Sequence, residues 1–181
     1  MTAIAAVSKA GQTWIGSDGK TFKGTAYFNS GPKFIQMDGW AVAHCDRAAA
    51  WQIVTMEIGK FKAPKKMDIR GVYAFGQWVK KTLVAHGVKK EAADNDDLPD
   101  HPLEMIVATA AGGLFRISGD GHVSQHRRFI TSGAGTLILT GALEALHGNK
   151  LDAKCILNKA LEISIKSSHW CERPIHLAEV L

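Results

Sequence analysis

Cysteine is sparse in this chain. Among 181 residues there are three, Cys45, Cys155 and Cys171, an odd number with no paired spacing. That excludes a disulfide framework and the common zinc motifs, and it predicts three reduced thiols. No apolar run approaches the ~20 residues needed to cross a bilayer. No charged segment, apolar core and cleavage site open the chain, so the reading is cytoplasmic, with no membrane contact. The histidines, among them His122, His126, His169 and His176, lack metal spacing such as HExxH, so no metal is expected. The tryptophans read as core or subunit-contact anchors, not as a cofactor box. Repeats, linkers and low-complexity tracts are absent, which predicts a single domain over residues 1–181. Acidic residues are the scarcer charge, 17 against 22 basic ones, for a net charge of +5. The basic residues are scattered (KFKAPKK, KK, KK, HRR) with no aromatic-interleaved stripe, which argues against nucleic acid as the main partner.

What is present is an ordinary globular balance, 46% hydrophobic and 22% charged, in a chain long enough to bury a core. TAIAAVS and QTWIGSD flank KAG, and PKFIQM and WAVAH flank DG. Both are hairpin patterns. The period then changes. Trp51, Val54, Ile58 and Phe61 fall at helical spacing, and KAPKK breaks that helix because Pro64 cannot continue it. A second helix carries Ile69, Val72, Tyr73, Gly76, Val79 and Leu83 on one side and ends at Gly87. KKEAADNDDLPDHP reads as a long polar loop. EMIVATA, GLFRIS and HVSQHRRFI read as strands. TSGAG leads into the helix LILTGALEALHG, ending at Gly148. LDAKCILNKALEISIKSS is a further helix, N-capped near Asn149 or started by Asp152, and RPIHLAEVL closes as a strand. Segregated helix pairs and antiparallel strands make this α+β, with two antiparallel sheets and a helix pair on each outer side.

Composition and periodicity lead no further than that. The ordered set TAIAAV…GSDGKT, then PKF, then the SG of TSGAGTLILTGAL, with Thr at position 2, resembles a proteasome β-type subunit. It is most similar to the bacterial ring peptidases of the HslV group, and to the smaller betaproteobacterial proteasome-homologue branch. The resemblance covers nearly the whole chain. It implies a four-layer αββα sandwich, an N-terminal-nucleophile hydrolase, and a homo-oligomer of stacked hexameric or heptameric rings with active sites facing an inner chamber. Peptide or unfolded protein would be the substrate, an ATP-dependent unfoldase a further partner, and no cofactor would be needed.

The chemistry explains the residue types. A Thr hydroxyl is a poor nucleophile unless a base takes its proton. A free α-amine, with a reference pKa of about 7.7–8.0, can do so, whereas an internal amide cannot. Thr2 is therefore the implied nucleophile, and Met1 is expected to be removed. Lys33 is the implied cation beside Thr2, favouring deprotonated forms by its charge, and Asp18 is its counter-ion. The opening hairpins can return both residues to the terminus. Ser132 matches the family's serine, which hydrogen-bonds the α-amine. A second reading makes it the cap of the helix that follows. The oxyanion hole is expected from a backbone N–H where AVAH enters the next helix, at Cys45 or Asp46. Arg47 falls near the specificity pocket, which suggests a preference for acidic or polar side chains.

Two positions depart from the family pattern. Where Gly is usual at the oxyanion turn, this chain has HCDRAAA. Where the fourth helix usually carries an Asp supporting the terminal amine, Ser164 stands, with Ser167 or Ser168 a turn later, and Glu162 is displaced by two residues. Both departures favour an alternative, a proteasome-like ring protein that keeps the scaffold without the chemistry. An amidase acting on small molecules is a third reading, and a catalytic thiol at Cys45 is a further one. The acidic loop residues Asp94, Asp96 and Asp97 are candidates for lining a pore or chamber mouth.

Overall fold

The computed structural model describes residues 2–23, 26–29, 31–45, 48–88 and 103–181. Met1, Asp46, Arg47, Asp94, Asp96 and Asp97 lie outside them. Among the described residues the order is β1 (Ile4–Lys9), β2 (Gln12–Asp18), β3 (Lys20–Lys23), β4 (Ala26–Asn29), β5 (Phe34–Met37) and β6 (Trp40–His44). There follow α1 (Ala48–Glu57), a 3-10 turn at Ile58–Lys60, α2 (Ile69–Ala85), β7 (Met105–Thr109), β8 (Leu114–Ile117), β9 (Val123–His126) and β10 (Phe129–Ser132). The chain finishes with α3 (Thr136–His147), α4 (Ala153–Ser167) and β11 (Ile175–Glu179).

Two antiparallel sheets carry the fold. One has the order β10-β1-β2-β11 and the other β5-β6-β7-β8-β9, with β3-β4 a separate ribbon. The side-chain alternation of strands sorts their residues into three buried layers. Ala3, Ala5 and Val7 point one way, against Leu139, Leu143, Ile156, Leu157, Ala160 and Leu161 of α3 and α4. Ile4 and Ala6 point the other way, against Ala41, Ala43, Ile106 and Ala108 of the second sheet. On that sheet's far face Trp40, Val42, Met105 and Val107 meet Trp51 and Val54 of α1 and Val72, Phe75 and Val79 of α2. Three apolar interfaces between four layers of structure, two of helices and two of strands, make the αββα sandwich, as expected. Strands so enclosed are apolar on both faces, which is why IAAV and WAVAH read as near-continuous hydrophobic runs. The alanines let two layers close on the central strands.

Local chemistry sets the helix ends. Asp68 caps α2, its carboxylate accepting from the N–H groups of Arg70 and Gly71. Asp152 caps α4 through the N–H of Cys155 at 2.7 Å, which decides between the two starts read for that helix. Ile58 and Phe61 pack with the helical layer as predicted, but α1 itself stops at Glu57.

Two elements differ from the sequence reading. HVSQHRRFI is not one strand. β9 belongs to the five-stranded sheet and β10 to the four-stranded one, so the chain crosses between sheets at residues 127–128. The apolar stripe of α2 runs through Val72, Phe75, Gly76, Val79 and Leu83, while Ile69 and Tyr73 are exposed. Those two lie on the shoulder of the first turns, beside the β8–β9 connection.

Candidate active site

Thr2 sits at the entrance to β1, 4% exposed. Its position is set by neighbours on both sides. Asp18 ends β2, the partner strand of β1, and its N–H donates to the Ala3 carbonyl at 3.0 Å. On the other side the turn after β10 folds over the Thr2 backbone. The N–H of Gly135 donates to the Thr2 carbonyl at 3.3 Å. Gly133 has φ +91°, and a Cβ there would lie 2.3 Å from the Thr2 carbonyl oxygen. A Cβ on Gly135 would meet Ser164 Oγ at 2.7 Å and Ala3 Cβ at 2.9 Å. These glycines are thus required by close approach of the turn to the terminal strand.

Asp18 is fully buried and every lone-pair direction is used. Its Oδ1 accepts from Thr2 Oγ1 at 2.9 Å, the Ala3 N–H at 2.8 Å and Lys33 Nζ at 2.7 Å. Its Oδ2 accepts from the N–H groups of Lys20 and Glu172, each at 3.2 Å. A buried carboxylate with five donors, one of them a cation, is compensated for lost hydration. Lys33 comes from the other sheet, just before β5. Its ammonium donates to Thr2 Oγ1, to Asp18 and to the Lys20 carbonyl, and its own N–H donates to Ser17 Oγ at 3.2 Å. Burial is the main influence on Lys33 and lowers its pKa, with the charge and hydrogen bond of Asp18 opposing. A lysine easier to deprotonate than a surface one thus faces a hydroxyl whose proton is directed at a carboxylate. Thr2, Asp18 and Lys33 are therefore one contiguous cluster.

The remaining candidates distribute differently. Ser132 is 1% exposed and does not cap α3, whose N-cap is Gly135 with no side-chain bond. Its hydroxyl donates to Glu104 Oε1 and lies 2.9 Å from Cys45 Sγ. The Cys45 N–H donates to the Glu104 carbonyl at 3.3 Å. In this arrangement that N–H is engaged within the β6–β7 side of the sheet, while Asp46, the other residue read as an oxyanion donor, lies outside the described residues. His44 points away from Cys45, as strand alternation requires, and stacks on Trp51 with centroids 4.4 Å apart. Burial and the charge of Lys33 hold His44 down to a pKa of about 3, so it is neutral. Ser164 is fully buried, beside Gly135 and Ala3, and donates to Cys171 Sγ at 3.5 Å. Ser167 is exposed, whereas Ser168 is buried and accepts from the Trp170 N–H. Of the serines read as amine support, Ser164 thus lies buried beside the turn that covers Thr2, and Ser167 lies on the exposed side of α4. Glu162 pairs with Arg173 at 3.1 Å on the surface.

Sequence reasoning missed Glu104, Arg116 and Cys171. Arg116 Nη1 lies 3.4 Å from Glu104 Oε1, and Arg116 Nη2 donates to the Thr131 carbonyl at 2.6 Å. Cys171 is buried near the Asp18–Lys33 pair. Its pKa is raised, chiefly by burial, which keeps it a thiol. Among the described residues no group of three or more His, Cys, Asp or Glu could hold a metal, and no helix is long and apolar enough to cross a membrane.

No protein-family model and no curated protein sequence matches this chain at a significant level. Solved structures do. Thiobacillus denitrificans BPH in complex with epoxomicin superposes with TM-score 0.83 at 17% identity, over 98% of this chain and 97% of that one. Eukaryotic HslV from Trypanosoma brucei gives TM-score 0.71 at 17% identity, over 98% of each chain. An Anbu mutant from Hyphomicrobium sp. strain MC1 gives 0.74 at 16%, over 98% of this chain and 80% of that one. The chain has the fold of the proteasome-like N-terminal-nucleophile hydrolases, and at these identities the likeness is one of fold.

Proposed function

We propose that this single-domain chain is a threonine-type endopeptidase, working on peptides or unfolded polypeptide in the cytoplasm, inside stacked hexameric or heptameric rings of identical subunits. An ATP-dependent unfoldase would feed such a chamber. Removal of Met1 turns the Thr2 nitrogen from an amide into an amine, the only form that can accept a proton at neutral pH. That amine takes the proton of Thr2 Oγ1 as the oxygen attacks a peptide carbonyl. Lys33 supports the developing negative charge on Oγ1, and Asp18 holds Lys33 in place. The amine returns its proton to the leaving nitrogen, and the resulting ester is hydrolysed by water activated in the same way. Ser132 and Ser164 flank the amine. The oxyanion donor is a backbone N–H of the turn into α1. With the Cys45 N–H engaged, Asp46 is the candidate, and Arg47 beside it would favour acidic or polar side chains.

The observation that carries this reading is the buried Thr2 hydroxyl held between the Lys33 ammonium and the Asp18 carboxylate. The test is intact mass of purified protein with and without epoxomicin, an α′,β′-epoxyketone peptide whose adduct requires both the hydroxyl and the free amine of an N-terminal Thr. The expected result is loss of Met1 and one adduct per chain, mapped to Thr2. Met1 retained on assembled protein, or a processed and folded chain that forms no adduct, overturns it. Electron microscopy of the same sample separates a closed double ring from a small-molecule amidase. The alternative is an inert proteasome-like ring protein with a structural or binding role. It is favoured by one observation, the Cys45 N–H bonded to Glu104.

A further inference from the structure

We infer that Glu104 is a positioning residue for the terminal amine, supplying from the residue before β7 the carboxylate that α4 lacks. The inference rests on the reading of Thr2 as an N-terminal nucleophile. Ser132 stands opposite Ile4 in the β1–β10 register. Side chains alternate along a strand, so Thr2, Ile4 and Ser132 emerge on the same inner face. A serine hydroxyl has one proton and two lone pairs. Here the proton goes to Glu104 Oε1, so Ser132 Oγ is left as an acceptor. One acceptor direction meets Cys45 Sγ at 2.9 Å, and the other serves the N–H of the Thr2 amine once Met1 is gone. Glu104 is itself held, with Arg116 Nη1 at 3.4 Å from the same oxygen. Arg116 in turn is tied to the Thr131 carbonyl, next to Ser132.

The physical consequence is a direction and a charge. Without Glu104 the hydroxyl can rotate its proton toward the amine nitrogen and block the lone pair that must receive the Thr2 proton. With it, the ammonium stage faces a serine oxygen backed by a carboxylate. Ser164 cannot do this, since it is uncharged and donates its proton to Cys171. The other charged and titratable groups packed about Thr2 and Ser132, among the described residues, are Lys33 beside β5, Asp18 at the end of β2, Lys20 on β3, His44 and Cys45 at the end of β6, Arg116 on β8, and Cys171 and Glu172 before β11. All are retained in the variants below, so they cancel in the comparison.

The experiment uses full-length chain freed at Thr2, by Met1 removal or by cleavage of an N-terminal fusion. The pKa of the α-amine is read from the pH dependence of its acetylation by acetic anhydride, followed by mass of the N-terminal peptide. This readout does not need peptidase activity. Glu104→Gln keeps an acceptor oxygen but removes the charge, and is expected to lower the amine pKa by about half a unit or more, with Glu104→Asp close to wild type. In a Ser132→Ala background the Glu104→Gln shift is expected to shrink by half or more, leaving only the part that the charge exerts through space. On a peptide substrate, Glu104→Ala is expected to lower kcat by on the order of 10- to 100-fold with KM little changed. An amine pKa within about 0.1 unit of wild type in Glu104→Gln overturns the inference. If that variant does not fold, Ser132→Ala alone must lower the amine pKa, and its failure to do so overturns the inference equally. A wild-type chain without peptidase activity that still shows the coupled shift sinks the peptidase reading and leaves the role of Glu104 standing.

Discussion

Replacing Asp18 with Asn tests whether the buried carboxylate organises the site. The wild-type group has zero exposure and five hydrogen-bond donors, one of them the Lys33 ammonium at 2.7 Å. Asn keeps the shape but removes the charge and turns one oxygen into an NH2. Either orientation of that amide sets donor against donor, since Oδ1 serves three donors and Oδ2 serves two. Lys33, whose pKa burial already lowers, loses the partner that opposed the shift. Breaking a buried pair from one side costs about 3–5 kcal/mol. For a chain of this length about 1 kcal/mol moves Tm by ~2–4 °C, so the drop should be roughly 6–20 °C. Circular dichroism melts at equal protomer concentration and pH 8 measure it. The double variant Asp18→Asn, Lys33→Met removes both charges and should recover most of the loss, though not all, because the N–H groups of Lys20 and Glu172 still face the amide. Neither variant should form the epoxomicin adduct. A Tm within about 3 °C of wild type for the single variant, on the same scaling, would refute the claim that Asp18 is the compensated hub of the site.

The layers were readable because local signals and tertiary roles agree. DG between two apolar runs fixed the β5–β6 hairpin, the first helix ends at Glu57, ahead of the break read at Pro64, and the alternating runs at residues 3–7 and 40–43 carry the two-faced burial of enclosed strands. HVSQHRRFI misled because nothing in it, neither Gly nor Pro, marks a break. The chain changes sheets there because β9 and β10 have different partners, β8 and β1, and partner choice is not a local property. Ile69 and Tyr73 fit the helical period of α2, but they lie to one side of the buried stripe that begins at Gly71 and Val72, so the period alone overstated the buried face.

The site divides along a similar line. Thr2, Asp18 and Lys33 sit at strand ends that hairpins bring back to the terminus, which makes their meeting feasible, but it is the family resemblance that singles them out. The donor from Glu172 to Asp18 spans 154 residues and uses a backbone N–H, for which any side chain would serve. Glu104 left no trace either. An acid just before an apolar strand looks like an ordinary solvent-facing end, and only the approach of β10 turns it into the acceptor of the Ser132 proton. The acid absent from α4 was legible as a gap; the residue that answers it, on another element, was not.

Three further substitutions probe the same arrangement. Gly133→Ala forces a Cβ to 2.3 Å from the Thr2 carbonyl at φ +91°, a conformation costing about 1–2 kcal/mol for a non-glycine residue. It should lower Tm by a few degrees and slow epoxomicin labelling by about tenfold or more, both readable on one preparation. Gly141→Ala is the counterpart. It is exposed in α3 with nothing within 4 Å of the new Cβ, so it should gain about 0.5–1 kcal/mol and label at the wild-type rate. His44 makes acid stability the last test. Its folded pKa of about 3 lies below the ordinary 6.5, so between those values the unfolded chain binds the extra proton and stability falls as pH falls. At pH 5, about 1.5 units below the unfolded value, the loss due to His44 is about 2 kcal/mol. Other groups also titrate there, so the measured quantity is a difference: the loss in denaturant stability between pH 8 and pH 5 should be about 2 kcal/mol smaller in His44→Phe than in wild type. Phe keeps a ring against Trp51 and has no proton to bind. Equal losses in the two proteins would mean that His44 is not held neutral under α1, and that the Lys33 charge does not reach it.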